Sequence, residues 1–452
     1  MQRLTTGAAA LAAGAALTGS PDRLLGESII DSRQARPGTV FWALPGTRAD
    51  GHDYVARAYA AGCEGTVVSR ACGVVPDGAW QLLVPEVPAA LQQLAVWWRG
   101  QFDLPVWGVT GSNGKTSTKE MLAWLLAQAM PTLATAGNRN NDLGVPLTLL
   151  RLQPEHRALV LELGMNHAGE LARLAQWSRP TAGLLTNVGA SHLEFFGTLD
   201  NIARAKAELA AALPAGAPLV VNADNRLALD IARRHPQLRA VTFGALNAAD
   251  FRAADIAGDA DGSQFVVNGR QYRIPLAGRH QVLNATAALA AFAVQTGALP
   301  PAGELFAGLA VDGRMEWREH AGVRFLVDCY NANPLSAGAL LESLPALAGG
   351  RRVILVFGDM LELGAAAAAE HAAIGVQSVP ATAVLITVGE LARGAAAAAR
   401  AAGHRCVEEC ADAAAAGALL RRLAAPGDVV ALKASRGVRL ERALAVFTEQ
   451  AA

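Results

Sequence analysis

The stretch Val106-Trp-Gly-Val-Thr-Gly-Ser-Asn-Gly-Lys-Thr116-Ser117 decides how the rest of this 452-residue chain is read. An apolar run enters a glycine-rich turn, and Lys-Thr opens a helix. Backbone N–H groups in such a turn point inward and cradle phosphate oxygens, while the helix N-terminus adds favourable partial charge. On that reading Gly111, Ser112, Asn113 and Gly114 form a phosphate cradle that runs on to Ser117. Lys115 reaches the terminal phosphates and Thr116 helps hold Mg²⁺. The spacing departs from the common G-x-x-x-x-G-K-[ST]: the first glycine is expected at 109, where valine stands, and the glycines are Gly108 and Gly111. A strand–turn–helix without a ligand is the competing reading of the same letters.

Working outward, strand and helix signals alternate. Val106–Val109, Leu159–Leu163, Gly183–Val188 and Leu219–Val221 read as buried strands, with helices over 115–129 and 200–212. Strands alternating with helices indicate an α/β domain with a mainly parallel sheet. Phe243, Phe251, Phe265–Val267 and Tyr272–Ile274 suggest a small antiparallel insert. A first region, 1–84, has short strand-like runs (Thr39–Leu44, Gly65–Val68) and a helix near Asp53–Ala61. The Pro-punctuated Val84–Pro88 reads as a connection. From 313 the alternation resumes with Val323–Val327, Val353–Phe357, Ala383–Val388 and Val429–Leu432. The expected fold class is α/β in three domains. They are a small N-terminal domain (1–84), a central phosphate-loop domain with a parallel sheet (85–312) and a Rossmann-like C-terminal domain (313–452). The alanine tracts at 365–369 and 395–399 read as helix filler.

Composition sets limits. Lys plus Arg is 39 and Asp plus Glu is 39, so the net charge is zero. This argues against a general nucleic-acid binder, whose affinity comes from neutralising phosphates. Hydrophobic residues at 52% against 17% charged exclude a disordered chain. Five cysteines with irregular spacing give neither a disulfide framework nor a zinc pattern and read as free thiols. Residues 8–17 fit a short surface helix better than a signal peptide, and no apolar run reaches the roughly 20 residues a membrane span needs. The expectation is a soluble, cytoplasmic protein and a monomer.

Thr110–Thr116 resembles the shortened phosphate loop of the Mur ligase family, ATP-dependent amide-forming enzymes of peptidoglycan precursor synthesis. Further stretches resemble family segments in the same order. Gly137-Asn-Arg-Asn-Asn-Asp-Leu-Gly-Val-Pro146 is similar to the Asn-rich segment, with Asn138 and Asn141 as substrate contacts. Glu162-Leu-Gly-Met-Asn166 is similar to the acidic magnesium site, and Thr186–Glu194 to the turn that carries His192. Gly278–Ala285 is similar to the nucleotide-base segment, with Asn284. Physically, Glu162 and His192 follow buried strands, whose carboxyl ends line the ligand crevice of an open α/β sheet. A structural ion pair is the competing reading for each.

Lys206 alone reads as a solvated lysine. The resemblance instead implies a carbamate there, an anionic metal ligand, although Ala207 stands where the family usually has glycine. Arg314, in Asp312-Gly-Arg-Met-Glu316, is implied to reach the nucleotide phosphates. Asp328-Cys-Tyr-Asn-Ala-Asn-Pro334 resembles the branch that joins D-alanyl-D-alanine to UDP-N-acetylmuramoyl-tripeptide. There Asp328 binds ribose hydroxyls, and Tyr330, Asn331 and Asn333 face substrate. The same letters also read as a turn and helix N-cap. Phe357–Gly364 resembles that branch too. Lys433, Ser435 and Arg436 are placed against the incoming dipeptide carboxylate, with surface salt bridges as the alternative. Asp31-Ser32-Arg33 and Asp50-Gly-His52 resemble the segments that hold the uridine diphosphate end. The implied chemistry uses ATP and Mg²⁺, with Lys115, Lys206 and His192 as catalytic groups. A ligase adding a single amino acid, a phosphate-loop kinase and a non-catalytic nucleotide-binding paralogue are the alternatives.

Overall fold

The computed structural model describes residues 3–47, 49–259, 261–309 and 315–449. The architecture is mixed α/β. The chain forms two compact units, one of residues 1–108, 126–165 and 170–182, the other of 109–125, 166–169 and 183–452.

The first unit contains a five-stranded sheet in the order Ala16–Thr18, Trp80–Leu83, Gly65–Val68, Thr39–Trp42, Glu27–Ile29. All pairs are parallel except the first. Gly65 is required by its neighbour, since a Cβ there would sit 2.1 Å from the Trp80 ring. The helix Thr6–Ala13 is a short surface helix that buries Thr6, Ala9, Ala10 and Ala13 on one face and leaves Leu11 exposed on the other. Val87 and Pro88, expected in a connection, instead open the helix Val87–Arg99, with proline in the first turn where its missing N–H costs nothing. Trp98 and Arg99 anchor that helix: the indole donates to the Leu152 carbonyl and the guanidinium to Ser178 and Phe102 carbonyls. In the same unit Thr132–Ala134 runs parallel to Ala158–Glu162, whose five residues are all buried.

In the second unit Pro218–Asn222 lies parallel between Ala182–Leu185 and Arg239–Gly244. Phe243 therefore belongs to a parallel strand. The antiparallel insert begins only at Phe251–Asp259, which pairs with Gly262–Val267, and Gly262–Val267 in turn pairs with Arg270–Ile274. The sequence signal blurred this boundary because buried parallel and antiparallel strands share the same apolar residues.

The same unit carries a six-stranded sheet in the order Glu316–His320, Val323–Asp328, Val429–Lys433, Val353–Gly358, Val384–Val388, Val407–Cys410. Only the first pair is antiparallel. Its four central strands match those read from sequence. The outer two were missed, because Glu316-Trp-Arg-Glu-His320 and Val407-Glu-Glu-Cys410 are charged, partly exposed edges. The alanine tract of helix Arg393–Ala401 has a packing role beyond helix propensity. Ala395, Ala396 and Ala399 are fully buried, and a Cβ on Gly375 of the neighbouring helix would meet the Ala395 carbonyl oxygen at 2.1 Å. All five cysteines are free thiols. No described helix is long and apolar enough to cross a membrane.

Candidate active site

The strand Val106–Thr110 is buried throughout, and the turn after it bends back over its end before helix Lys115–Ala129 begins. Two glycines make this possible. Gly111 has φ 151°, and a Cβ there would lie 1.9 Å from Thr186 Oγ1; Gly114 has φ 77°, and its Cβ would lie 2.3 Å from Asn284 Oδ1. Both positions need positive φ and close approach at once.

The loop is held by amides. Ser112 N donates to the Asn187 carbonyl at 3.0 Å, and Asn113 N to Asn187 Oδ1 at 2.9 Å. The Asn113 carbonyl accepts from Thr186 Oγ1 at 2.6 Å and from Asn187 Nδ2 at 3.1 Å. Ser112 Oγ exchanges hydrogen bonds with the Gly189 backbone, both at 2.9 Å. Lys115 Nζ donates to the Gly111 carbonyl at 2.8 Å, which keeps the ammonium over the turn. Thr116 is buried, and its Oγ1 has no hydrogen-bond partner. A buried hydroxyl without a partner costs free energy, and its position right after Lys115 fits a metal ligand.

Lys206, on helix Leu199–Ala212, is 3% exposed. No hydrogen bond or ion pair engages it among the described residues. Burial first, then the like charge of Lys115, holds its ammonium well below the usual lysine range. The solvated reading is excluded; this is a buried amine driven toward its neutral, nucleophilic form. His192 adopts φ 55°, and its Nδ1 lies 2.6 Å from Glu362 Oε2. Hydrogen bonding from His192 holds the Glu362 carboxyl below its ordinary range.

Helix Pro334–Ala348 starts at a complete capping box: Asn333 Oδ1 accepts from Ser336 N, and Ser336 Oγ accepts from Asn333 N. The N-cap expected from the sequence is thus present. Asn333 also exchanges two hydrogen bonds with Asn113, at 2.7 and 3.0 Å. Asp328 ends its strand beside Lys433, whose Nζ donates to Asp328 Oδ2 at 2.7 Å and to the Asn331 carbonyl at 2.9 Å. Ser435 Oγ accepts from Leu361 N and donates to the Ala332 carbonyl. Arg436 pairs with Glu441 at 3.2 Å. Arg314 lies outside the described residues. Burial, with Glu441 adding, pushes the Cys329 thiol up to about 11, so it stays protonated at neutral pH.

In the first unit, Glu162 is 1% exposed; its Oε1 accepts from Asn140 Nδ2 at 2.7 Å, and its Oε2 has no partner. Asn140 was not singled out from the sequence, yet it orients the carboxylate. Asn141 Oδ1 accepts from Gly144 N at 2.9 Å, and Asn138 is exposed. Ser32 opens a short 3₁₀ turn, in which Arg33 pairs with Asp31 at 2.6 Å. Asp50 accepts from both His52 and Arg70 at 2.6 Å, and His52 Nε2 accepts from Ser69 N. Arg33, Lys433 and Arg436 were expected to turn toward anionic substrates; each already has a carboxylate partner, which sequence spacing does not reveal.

In the second unit a cavity of about 330 Å³ brings together Ser112–Lys115, Ser117, Asn284, Asp328, Tyr330, Asn331 and Lys433. That size suits a small ligand or cofactor. Asn222, Asp224, Asn225, Phe243 and His280 line it as well, none of them singled out as functional from the sequence. Asn225 grips both backbone groups of Val188, and Asn222 Nδ2 donates to the Thr186 carbonyl. His280 Nδ1 is buried without a partner, and burial pushes the imidazole down to about 4.

A glycine loop at a strand end, a lysine folded over it and a cavity beyond it define a nucleotide-binding α/β protein of the phosphate-loop class. Three family models match in sequence order: the catalytic domain of the Mur ligase family over 29–96, the Mur ligase middle domain over 109–292 and the glutamate ligase domain over 313–436. The chain belongs to the Mur ligase family. It is 42% identical over 357 residues to the UDP-N-acetylmuramoyl-tripeptide–D-alanyl-D-alanine ligase of Escherichia coli K12, covering 76% of this chain and 77% of that protein. It is 36% identical over 466 residues to the enzyme of that name from Mycobacterium tuberculosis H37Rv, covering 92% and 91%. Among solved structures, MurF from Acinetobacter baumannii superposes with a TM-score of 0.84 at 31% identity over all of both chains. MurF from Thermotoga maritima in complex with ADP gives 0.78 at 29% identity, covering 94% and 97%.

Proposed function

We propose that this chain is the ATP-dependent ligase that joins D-alanyl-D-alanine to UDP-N-acetylmuramoyl-tripeptide in the cytoplasmic stage of peptidoglycan synthesis. The observation that carries the reading is the amide-braced Thr110–Thr116 loop, with Lys115 over the turn and the Thr116 hydroxyl buried without a partner. The peptide carboxylate attacks the γ-phosphorus of ATP, ADP leaves, and an acyl phosphate forms. The dipeptide amine attacks the acyl carbon, and phosphate departs from the tetrahedral intermediate as the amine gives up its proton. Lys115 offsets charge on the transferred phosphoryl group, and the start of helix Lys115–Ala129 adds favourable partial charge.

In the second unit Thr116, with a buried hydroxyl lacking a partner, is the residue offered to Mg²⁺, with His192 and a carbamate on Lys206 in support. The ion supplies charge neutralisation for the phosphates. Neutral Lys206 is suited to react with carbon dioxide, which forms the N–C bond and releases one proton. Asn284, Asp328 and Arg314 are assigned to the nucleotide. Tyr330, Asn331, Lys433, Ser435 and Arg436 are assigned to the dipeptide side; Asn333, expected there from the sequence, has its amide on Asn113 and Ser336 instead. Ser32, Arg33, Asp50, His52, Asn138 and Asn141 are assigned to the UDP-linked substrate. The domain limits 1–84, 85–312 and 313–452 are part of the proposal, and the order of the three family matches supports them.

The test is ATP-dependent phosphate release by purified protein with the UDP-tripeptide and a panel of acceptors. Turnover is expected with D-alanyl-D-alanine and not with single amino acids. Turnover with a single amino acid alone would reject the assignment, and a phosphorylated product that persists without an amine would indicate a kinase. Lys115→Ala is expected to lower phosphate release by about 10²–10³-fold, the effect of losing one charge-stabilising donor, with the fold retained by circular dichroism.

A further inference from the structure

Asn113 and Asn333 are 220 positions apart, yet their side-chain amides face each other head to tail. Asn113 Nδ2 donates to Asn333 Oδ1 at 3.0 Å, and Asn333 Nδ2 donates to Asn113 Oδ1 at 2.7 Å. The backbone of Asn113 is already committed, its N–H to Asn187 Oδ1 and its carbonyl to Thr186 and Asn187. Its side chain is therefore the one part of that residue turned away from the loop's own bracing. Asn333 is 4% exposed and does two tasks with one oxygen, because Oδ1 also caps helix Pro334–Ala348 through Ser336 N. The cap fixes the rotamer that presents Nδ2 to the loop. Capping alone would be met by serine, aspartate or threonine as well. Only an amide offers a donor and an acceptor side by side to another amide.

We propose that Asn333 is a positioning residue that clasps the 313–452 region to the phosphate loop, so that the groups around Tyr330, Asn331 and Lys433 are registered over the transferred phosphoryl group. The proposal rests on reading the loop as the ATP site. Its consequence is chemical coupling: with the clasp formed, the acyl phosphate meets the dipeptide amine, and without it, the acyl phosphate meets water. Hydrolysis then breaks the acyl–phosphate bond to return the carboxylate and release phosphate, and no amide forms.

Asn333→Ser keeps the helix cap and removes the clasp. The experiment compares phosphate released with amide formed for wild type, Asn333→Ser, Asn113→Ala and the double variant, with melting temperatures in parallel. Wild type is expected to release one phosphate per amide. Asn333→Ser is expected to form amide about tenfold more slowly with phosphate in excess, and the double variant to be no worse than Asn113→Ala alone, as for two residues acting through one contact. A ratio that stays at one in Asn333→Ser, or losses that multiply in the double variant, overturns the clasp. An inactive wild type would remove the functional reading itself, whereas an active wild type with an unaltered Asn333→Ser overturns the clasp alone.

Discussion

Lys206 shows what a single buried residue can cost and supply. A lysine taken out of water without a partner is held away from its charged form, and folding must accommodate that. Its folded-state pKa lies below the unfolded value, so the folded state is penalised increasingly as pH falls below the unfolded lysine's range. Lys206→Met keeps the length of the side chain and removes the amine. We expect the variant to melt higher at neutral pH, by an amount corresponding to about 1–3 kcal/mol, while amide formation is lost. Melting curves and the phosphate assay check both directions, and a variant that is less stable and still active would contradict the role. At this scale the letters of the site were legible but their partners were not. The Gly-Lys-Thr turn announced phosphate chemistry, and the Asn-Pro pair announced a cap. Nothing in spacing announced that Lys433 is spent on Asp328, Arg33 on Asp31, or Asn140 on Glu162. The Lys433–Asp328 pairing arises only when two distant strands are brought side by side, whereas Arg33 folds back on a carboxylate two residues before it in the same turn.

Among the elements, the segment from Gly358 to Gly364 is fixed at several points. Met360 N donates to His371 Nε2 at 2.9 Å, and His371 Nδ1 lies 2.7 Å from the Ala367 carbonyl. Ser435 accepts from Leu361 N, and Asp359 Oδ1 accepts from Ala392 N at 2.8 Å. Glu362, with φ 64°, closes the segment on His192. His371 is fully buried and uses both ring nitrogens, one as donor and one as acceptor. His371→Leu fills much of the space and leaves the Met360 N–H without a partner, at a cost of about 1–3 kcal/mol. Amide exchange at 359–364 is expected to quicken more than exchange in strand Val353–Gly358. Equal acceleration in both would mean that the whole sheet, rather than the segment, depends on this ring. Elements were legible from sequence where burial made them uniformly apolar, as in Val353–Gly358 and Val429–Lys433. They were illegible at the edges, where Glu316–His320 and Val407–Cys410 carry charge and pair on one side only.

For the whole molecule, the neutral net charge leaves pH dependence to particular groups. His280, pushed down to about 4 by burial, stays neutral in the folded chain where an unfolded histidine already takes a proton. Between the unfolded value near 6.5 and 4 the unfolded state binds more protons, so stability rises with pH across this window. The penalty at its acid end is at most about 3 kcal/mol. Glu362 has its folded-state pKa lowered, so its contribution is present above the ordinary carboxylate range and is lost as pH falls through the folded value. Thermal melts between pH 4 and pH 8 should show falling stability on the acid side, with a flatter slope from pH 6.5 down to pH 5 for His280→Gln. An identical slope would remove His280 from the account. The α/β class and the order of the parts were readable from strand–helix alternation, because that alternation is a local property. The two compact units were not, since chain order does not state which segments pack together.

The Asn113–Gly114 step carries one more implication, for the lifetime of the protein as a chemical object. An asparagine followed by glycine is the dipeptide most prone to cyclise, as the glycine nitrogen attacks the side-chain carbonyl, ammonia leaves, and aspartate or isoaspartate results on hydrolysis. In this chain that carbonyl oxygen is held by Asn333 Nδ2 and the leaving nitrogen is bonded to Asn333 Oδ1. The same contact that registers two regions thereby shields a fragile bond from ageing. Peptide mass mapping of stored protein should find residue 113 converted to the acid faster in Asn333→Ser than in wild type, and equal conversion would show that the shielding lies elsewhere.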